Sequence, residues 1–361
     1  MGWKPMSQGG WLVLRDPSAF QWVSDMPVRV GIIGLGFMGR MHYGAYQSVP
    51  GAQVVAVCDA DAKRASGDLS EGWANVPGAE VSTLPMDRIR GTTDWKELIK
   101  FAEVDLIDVC LPTPAHLEVV TAAIATGKHV MCEKPMARTA ADARAIADAA
   151  SRSRGFFMPA MCMRFWGEWE WLKAAVADGR YGGVKSATFR RASSTPKGWF
   201  RNGQLSGGAL LDLHVHDTDF VYHLFGKPKA VFSRGYSKDT GAIDHIATQY
   251  LYDSPALVTA EGAWGLAEGF GFRMTFTVNF ENATAEFEFG REKPLQIYRD
   301  GKAESVEHST TDGYVGEMTY FVDCIAKGTK PIKVTAEDAV NGLTIIEAEE
   351  KSVKTGQVVA L

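Results

Sequence analysis

The stretch VRVGIIGLGFMG, residues 28–39, places a compact apolar run directly before three closely spaced glycines. The run from Val28 to Ile33 has the length and composition of a buried strand. Gly34, Gly36 and Gly39 favour a tight turn, and the residues that follow them favour a helix. The stretch therefore predicts a strand, a turn and a helix in immediate succession.

The same succession of strand and helix continues to about residue 153. Further strands are expected over residues 54–57, 88–92, 106–111 and 129–132, and helices over 60–75, 95–101, 117–126 and 139–153. A polar segment rich in proline and glycine, residues 76–87, interrupts the series. Because continuously apolar strands that alternate with helices require a parallel sheet covered on both faces, the N-terminal part is predicted to be α/β, with a Rossmann-type doubly wound parallel sheet.

Beyond about residue 157 the pattern changes to short segments in which polar and apolar residues alternate. These segments cover residues 185–191, 230–234, 246–252, 257–263, 273–280, 283–289 and 295–298. They predict a large, mostly antiparallel sheet. Helices are expected over 166–177, 212–224, 314–326 and 336–351, which makes the second part α+β. Helices on one face of this sheet would leave its other face open, so we expect a homodimer or homotetramer formed through that face.

Composition argues against several classes of partner. Hydrophobic residues make up 46% of the chain and charged residues 22%, with a formal net charge of -5. There is neither a large basic excess for binding nucleic acid nor an apolar run of about 18 residues that could cross a membrane. The five cysteines are scattered, so buried free thiols in a reducing cytoplasm are expected, and no metal site.

Residues 1–25 lack the features of a secretory signal. We expect either that Met26 is the natural start or that the segment before it is a loosely held arm.

The glycine-rich turn predicts a dinucleotide site because Asp59 follows Gly39 by 20 positions, at the end of the second strand. Gly34 permits the turn, Gly36 lets the backbone approach a pyrophosphate, and Gly39 lets the helix pack closely on the strand. Asp59 can accept both hydroxyls of an adenosine ribose and would repel a 2'-phosphate, which favours NAD. Lys63 and Arg64 leave NADP open, because either could reach such a phosphate.

The expected domains are therefore an N-terminal extension (residues 1–26), a dinucleotide-binding domain (27–156) and a substrate-binding and oligomerisation domain (157–361).

Lys134 and His216 are the candidates for chemistry on an alcohol, which needs a proton acceptor and a positive group beside the developing alkoxide. Lys134 ends a buried strand at the carboxyl edge of the sheet, and Pro135 follows it through a peptide bond that could be cis. Asp212 and His216 are four residues apart and would share one face of a helix. Asp219 could orient the imidazole of His216 or serve as a capping or buried hydrogen-bonding residue.

In these motifs the chain resembles the glucose-fructose oxidoreductase and inositol dehydrogenase family, Gfo/Idh/MocA. The motifs are Gly34-x-Gly36-x-x-Gly39, Pro112-Thr113-Pro114-x-His116, Glu133-Lys134-Pro135, and Gly207-Gly208 before Asp212-x-x-x-His216. The resemblance implies that His216 is the acid/base, that Lys134 polarises the substrate hydroxyl and that Asp212 positions both. It also implies that Thr113, His116 and Glu133 lie along the nicotinamide half of the cofactor, although His116 could instead be a hydrogen-bonding residue at a helix start.

The predicted cofactor-binding residues are Gly34, Gly36, Phe37, Met38, Gly39, Asp59, Leu111, Pro112, Thr113, His116, Glu133 and Lys134. The predicted substrate-binding residues are Lys134, Arg164, Trp199, Asp212 and His216. Trp199 offers a platform for the apolar face of a sugar ring, and Arg164 is expected to bind the cofactor or an acidic substrate group, or to form a structural ion pair. His214 stands where many relatives carry glycine, but residues two apart on a helix diverge by about 200°, so His214 and His216 are not expected to chelate a metal unless the helix begins after His214.

The predicted function is hydride transfer between a secondary alcohol of a sugar, inositol or glycoside and NAD(P). The sequence leaves two alternative functions open. One is NAD-dependent cleavage of a glycoside by oxidation and elimination, and the other is a regulatory protein that senses NAD without catalysis.

Overall fold

The computed structural model describes residues 26–71 and 81–361. Within these ranges the chain forms two sheets and the helices that pack on them. The predicted N-terminal extension lies outside the described residues apart from Met26, as do residues 72–80, which belong to the predicted helix over 60–75 and the polar segment after it.

The first sheet has six parallel strands in the order β3-β2-β1-β4-β5-β6. Their bounds are β1 Val28–Ile33, β2 Ala52–Cys58, β3 Arg90–Thr92, β4 Leu106–Val109, β5 His129–Glu133 and β6 Phe157–Ala160. This is the predicted doubly wound α/β fold. The buried strand β6 pairs with β5, so the sheet extends past residue 156, where the sequence placed the end of the first domain. Pro159 is tolerated there because β6 is an edge strand.

Five helices accompany this sheet: α1 Phe37–Tyr46, α2 Ala62–Ala65, α3 Trp95–Leu98, α4 His116–Ala125 and α5 Ala140–Ser151. The helix predicted over 60–75 is wrong in length, because α2 spans a single turn after its N-cap Asp61. Gly67, with φ +92°, turns the chain away at that point.

The second sheet has nine strands in the order β14-β13-β12-β11-β7-β10-β9-β8-β15 and is antiparallel except between β7 and β10. Their bounds are β7 Val184–Ala192, β8 Ala230–Tyr236, β9 His245–Leu251, β10 Leu257–Ala263, β11 Arg273–Phe280, β12 Thr284–Glu288, β13 Leu295–Arg299, β14 Lys302–Ser305 and β15 Val359–Ala360. The large, mostly antiparallel sheet is as predicted. The sequence pattern missed β14 and β15, which are too short to show an alternation.

Six helices follow the first sheet: α6 Gly167–Asp178, α7 Gly203–Ser206, α8 Gly208–Asp212, α9 Val215–Phe225, α10 Gly313–Lys327 and α11 Ala336–Thr355. The single helix predicted over 212–224 is wrong, because Leu213 and His214 form a turn that separates α8 from α9.

The last two helices belong to the core of the first sheet as well as to the end of the chain. Apolar residues of α10 and α11, including Phe321 and Leu343, lie in the same buried cluster as Val30 and Ile107 of the parallel strands. The two packing units therefore share C-terminal helices, and the carboxyl ends of the parallel strands face the second sheet.

All five cysteines are buried free thiols, as predicted. None of the helices in the described ranges is long and apolar enough to span a membrane.

Candidate active site

A cavity of about 570 Å³ lies where the carboxyl ends of the parallel strands meet the second sheet. Most of the residues predicted to act line it: Gly34, Gly36, Phe37, Met38, Asp59, Leu111, Pro112, Thr113, Glu133, Lys134, Trp199, Asp212 and His216. Gly39, His116 and Arg164 do not line it. The first sheet thus supplies one wall, and α8, α9 and the segment around Trp199 supply the opposite wall.

The glycine-rich turn has the shape that a dinucleotide requires. Gly34 has φ +96°, and a Cβ there would lie 2.7 Å from the main-chain oxygen of Cys110, so another residue would strain both backbone and packing. A Cβ on Gly39 would collide with the main-chain oxygen of Gly34 at 1.8 Å, which explains the close approach of α1 to the turn. A Cβ on Gly36 would meet nothing within 4 Å, so this glycine leaves open space on the cavity side.

Helix α1 begins beside this open space, and its N-cap, Gly36, offers no side chain to the first amides. No acidic residue lies in its first turn. The positive end of a helix dipole attracts phosphate oxygens, so this helix start and the open space at Gly36 fit the pyrophosphate of a dinucleotide.

Asp59 lies at the end of β2, and its carboxylate already accepts several bonds. It accepts from the main-chain N–H groups of Leu35 at 2.8 Å and Asp61 at 2.9 Å, and Arg64 lies 3.3 Å from Oδ2. Lys63 pairs instead with Glu71 at 2.9 Å. Of the two cations that left NADP open, therefore, Arg64 lines the cavity and Lys63 does not.

Lys134 meets Asp212 across the cavity. The amine of Lys134 donates to the main-chain oxygen of Asp212 at 2.9 Å and lies 3.6 Å from its carboxylate. Burial raises the pKa of Asp212, and the nearby Lys134 ammonium opposes that rise. The Lys134–Pro135 peptide bond is cis.

His216 is the other group that can move a proton in this cavity. Burial holds the pKa of its imidazole well below the usual value, and the positive charges of Lys134 and Arg191 lower it further. Its Nδ1 is buried and has no hydrogen-bond partner among residues 26–71 and 81–361. His216 is therefore a neutral imidazole at ordinary pH, beside a lysine ammonium.

The turn between α8 and α9 changes how Asp212 and His216 are presented. They do not share one helical face, because Asp212 ends α8 and His216 is the second residue of α9. The turn nevertheless keeps both on the cavity wall. His214, the N-cap of α9, faces the other way, with Nε2 3.4 Å from Glu349 and 3.3 Å from the Tyr250 hydroxyl. The helix does begin after His214, yet this histidine does not line the cavity with His216.

The prediction that Arg164 binds substrate is not supported by its position. Its guanidinium is buried and bonds both carboxylate oxygens of Asp219, at 2.9 and 2.6 Å, and also reaches Asp338 at 3.2 Å. This arrangement is the structural ion pair left open by the sequence. Because Asp219 is engaged by Arg164, the structure gives no support to the suggestion that Asp219 orients His216.

His116 is likewise a hydrogen-bonding residue and not part of the cavity wall. Its Nδ1 lies 3.0 Å from the main-chain oxygen of Pro135, and its Nε2 lies 2.7 Å from that of Leu111. The ring is fully buried. Its two hydrogen bonds connect the loop after β4 to the loop that carries Lys134.

Sequence reasoning missed several residues of the wall, among them Arg191, Lys197, Trp264 and Tyr314. Arg191 could have been found, because the alternation along β7 puts it on the same buried face as Phe189. Its guanidinium bonds the buried Asp217 at 3.1 Å. The sequence around Tyr314 carries no comparable signal, because α10 reaches the cavity only through the tertiary fold.

A buried polar group lies directly behind Lys134. Nδ1 of His42 donates to Asp108 at 2.8 Å, and its Nε2 donates to Glu133 at 2.9 Å. The other carboxylate oxygen of Glu133 accepts the main-chain N–H of Lys134 at 2.9 Å. Burial is the largest influence on His42 and opposes its charge, but Asp108 and Cys110 together outweigh burial, so the pKa of His42 is raised well above its usual value.

Comparison with known proteins shows what each part of the chain resembles. Residues 28–160 match a sequence profile described as "Oxidoreductase family, NAD-binding Rossmann fold", and residues 169–286 match the GFO/IDH/MocA C-terminal domain. The chain is 27% identical to inositol 2-dehydrogenase of Rhizobium meliloti (strain 1021) over 344 residues, which cover 91% of this chain and 97% of the relative. It is 31% identical to levoglucosan dehydrogenase of Pseudarthrobacter phenanthrenivorans over 215 residues, 56% of this chain and 53% of that one.

Among solved structures, a levoglucosan dehydrogenase in complex with NADH and levoglucosan superimposes with a TM-score of 0.81. The two chains are 22% identical, and the match covers 93% of this chain and 99% of the other. At that identity the likeness establishes the fold. The first sheet with its glycine-rich turn is an NAD-binding Rossmann domain.

Proposed function

Because this chain belongs to the Gfo/Idh/MocA family of oxidoreductases, we propose that it transfers a hydride between NAD and a secondary alcohol of a sugar, inositol or glycoside. The observation that carries the proposal is that Lys134, Asp212 and His216 line one cavity together with the glycine-rich turn. When bound, NAD supplies the hydride acceptor. The side chains opposite it must then bind the alcohol, remove its proton and stabilise the resulting charge.

His216 is the proposed proton acceptor. A base must be unprotonated when the substrate arrives, and burial together with Lys134 and Arg191 keeps the pKa of His216 low enough for that. In the reverse direction the same imidazole, once protonated, returns the proton to the alcohol oxygen.

Lys134 is the proposed electrostatic stabiliser. Its ammonium is held against the main-chain oxygen of Asp212 and keeps further N–H groups for the substrate oxygen. Because the positive charge is already in position before hydride transfer, it stabilises the alkoxide without rearrangement of the site. Asp212 fixes the ammonium and can accept a hydrogen bond from a second hydroxyl of the substrate.

Trp199 is the proposed platform for the sugar ring. It lies on the cavity wall in a short 3-10 helix, Gly198–Arg201, and its indole packs against Phe200 with ring centroids 4.4 Å apart. An indole face packs well on the C–H groups of a cyclic polyol. The names of the relatives, inositol 2-dehydrogenase and levoglucosan dehydrogenase, support a cyclic polyol or sugar as the substrate class.

The Asp59 carboxylate supports NAD over NADP as the working cofactor. It lines the cavity at the end of β2, where an adenosine ribose would lie, and a 2'-phosphate there would meet its negative charge. Arg64 is the residue that could reduce this discrimination, because it reaches the same carboxylate.

The function is tested by incubating the purified protein with NAD and a panel of inositols, levoglucosan, aldoses and glycosides, while NADH absorbance is followed. Appearance of NADH with at least one member, and its consumption with the matching ketone, is the expected result. If no alcohol reduces NAD and no keto-sugar oxidises NADH, the proposal is wrong. Cleavage of a glycoside without net NADH would replace it with oxidation followed by elimination.

We also propose that copies of the chain associate through the open face of the second sheet. That face carries threonines and long side chains at exposed positions of adjacent strands, including Thr188, Thr277, Leu257 and Tyr236. Light scattering on the purified protein should give the mass of a dimer or tetramer. Replacing Leu257 with lysine should shift that mass toward a monomer.

A further inference from the structure

Three elements meet at a buried histidine behind the cavity. Asp108 of β4 and Glu133 of β5 flank His42 of α1, at 2.8 and 2.9 Å from its two ring nitrogens. His42 and Asp108 have no exposed surface, and Glu133 is 4% exposed. Both contacts are with carboxyl groups, and the pKa of His42 is raised well above its usual value, which favours an imidazolium that donates from both ring nitrogens.

Glu133 connects this group to the cavity. One of its oxygens accepts from His42 and the other accepts the main-chain N–H of Lys134. A carboxylate that is buried needs such partners, because an unpaired buried charge is strongly unfavourable. Burial alone would raise the pKa of Glu133, but the hydrogen bond and charge of His42, together with Lys134, outweigh burial, so the pKa of Glu133 is lowered.

Helix α1 places His42 so that it joins the two halves of the site. The helix starts at the glycine-rich turn, and its sixth residue, His42, bonds the strand end that precedes Lys134. Cys110, at the end of β4, lies 3.3 Å from the same imidazole. The position of the Lys134 main chain is therefore coupled to the turn that holds the cofactor.

We propose that His42 is a positioning residue for the hydride transfer proposed above, acting through Glu133 on the main chain of Lys134. The inference rests on that proposed function. His42 lies behind the cavity wall and does not line the cavity, so its effect on the reaction is indirect. A displacement of reacting groups by about 1 Å can slow a reaction by about 100-fold, and this is the size of effect such a support can exert.

The experiment compares His42→Gln, Glu133→Gln and the double variant with the unaltered protein. His129→Gln is the matched control, because it removes a histidine from the opposite end of the same strand β5. We expect His42→Gln to lower kcat by about 10-fold or more, with less than about 3-fold change in NADH affinity measured by fluorescence. The double variant should have the kcat of Glu133→Gln alone, and the control should keep the original kcat.

A second measurement does not depend on turnover. Acetylation of Lys134 by limiting acetic anhydride, followed by peptide mass spectrometry, reports how firmly its amine is held against Asp212. The rate should rise severalfold in His42→Gln and stay unchanged in His129→Gln. Asp108→Asn should raise it as well, and it serves as the second variant if His42→Gln does not fold by circular dichroism.

The outcomes separate the two proposals. If the unaltered protein oxidises an alcohol and His42→Gln has the same kcat, or if the effects of His42→Gln and Glu133→Gln on log kcat simply add, the positioning role is wrong while the function stands. If the unaltered protein turns over no alcohol, the proposed function is wrong, and the acetylation rate of Lys134 decides the role of His42 by itself: an increase supports it and no change overturns it.

Discussion

The amine of Lys134 lies 2.9 Å from the main-chain oxygen of Asp212, although 78 residues separate the two along the chain. The contact joins the end of β5 in the parallel sheet to the end of α8 on the opposite wall of the cavity. In the function proposed above, an alcohol bound between these walls meets the ammonium of Lys134, the carboxylate of Asp212 and the neutral imidazole of His216.

Replacing Lys134 with methionine should lower kcat for alcohol oxidation by about 100- to 1000-fold, because it removes the positive charge beside the developing alkoxide. NADH should still bind, since the glycine-rich turn is unaltered. Steady-state kinetics and NADH fluorescence measure the two quantities. Lys185→Met is the control, because Lys185 pairs with Glu281 at the surface. A kcat within a factor of a few of the original would contradict the role given to Lys134.

The imidazole of His216 should titrate below pH 6.5, because burial and the charges of Lys134 and Arg191 lower its pKa. Lys134→Met lacks the lysine charge that helps to lower the pKa of His216, so the midpoint of the His216 titration should rise in this variant. Proton NMR of the ring, with the signal assigned by its loss in His216→Asn, gives the midpoint directly. Because the base form is needed for oxidation, the acid limb of the rate profile should also lie below pH 6.5. A midpoint above 6.5 in the unaltered protein would remove the electrostatic argument for a neutral base.

Exchanging Asp59 for asparagine should reduce the preference for NAD over NADP by about 10-fold or more, since a carboxylate no longer repels a 2'-phosphate. The ratio of kcat/KM for the two cofactors is the quantity to measure. Asp61→Asn is the matched control, because Asp61 is a neighbouring acid that caps α2 and does not line the cavity. If both variants change the ratio equally, the discrimination does not come from Asp59.

Substituting Arg164 with methionine should destabilise the fold by about 3–5 kcal/mol, because Asp219 would be left buried and unpaired. The two side chains are 2% and 1% exposed. Arg144→Met, which breaks an exposed pair with Glu337, should cost about 1 kcal/mol or less. Urea unfolding measures both. If the folded Arg164→Met protein instead shows normal stability and a raised KM for the substrate, Arg164 binds substrate after all.

Glu317 provides a test of stability against pH. Both oxygens of its carboxyl group are buried without a hydrogen-bond partner among the described residues, and burial raises its pKa well above the usual 4.5. Below the unfolded pKa, Glu317 is protonated in both states, so it causes no loss of stability. Because its pKa is raised in the folded state, the free energy of unfolding falls as pH rises from the unfolded pKa through the folded pKa.

The glutamine in Glu317→Gln has no proton to lose, so the free energy of unfolding of this variant should not fall in this way as pH rises. The difference in Tm between this variant and the unaltered protein should grow by several degrees between pH 5 and pH 8, with the variant the more stable at pH 8. Glu350→Gln, at a side chain that is 45% exposed, serves as a control, and its difference in Tm should not grow in this way. A difference in Tm that is constant across this range would show that Glu317 does not titrate as the structure indicates.

The amino-acid sequence by itself determined the two-sheet architecture and the neighbourhood of the site. Strands such as Val28–Ile33 are continuously apolar, and parallel strands present their carboxyl ends at one edge, so the glycine-rich turn, Asp59 and Lys134 had to lie near one another. These inferences depend on local pattern and on chain topology, which a single sequence records. The roles of Lys134, Asp212 and His216 remain predictions for the experiments above.

Only the tertiary structure decided which polar groups are partners. Arg164 pairs with Asp219, and His42 bonds Asp108 and Glu133 across separations of 66 and 91 residues. His214, in the turn that separates Asp212 from α9, packs so closely on β10 that a Cβ on Gly262 would lie 2.7 Å from that of His214. Hydrogen bonds and ion pairs act over a few ångströms, whereas sequence pattern reports only which residues share a face, so the choice among buried partners is made when the two sheets and their helices pack together.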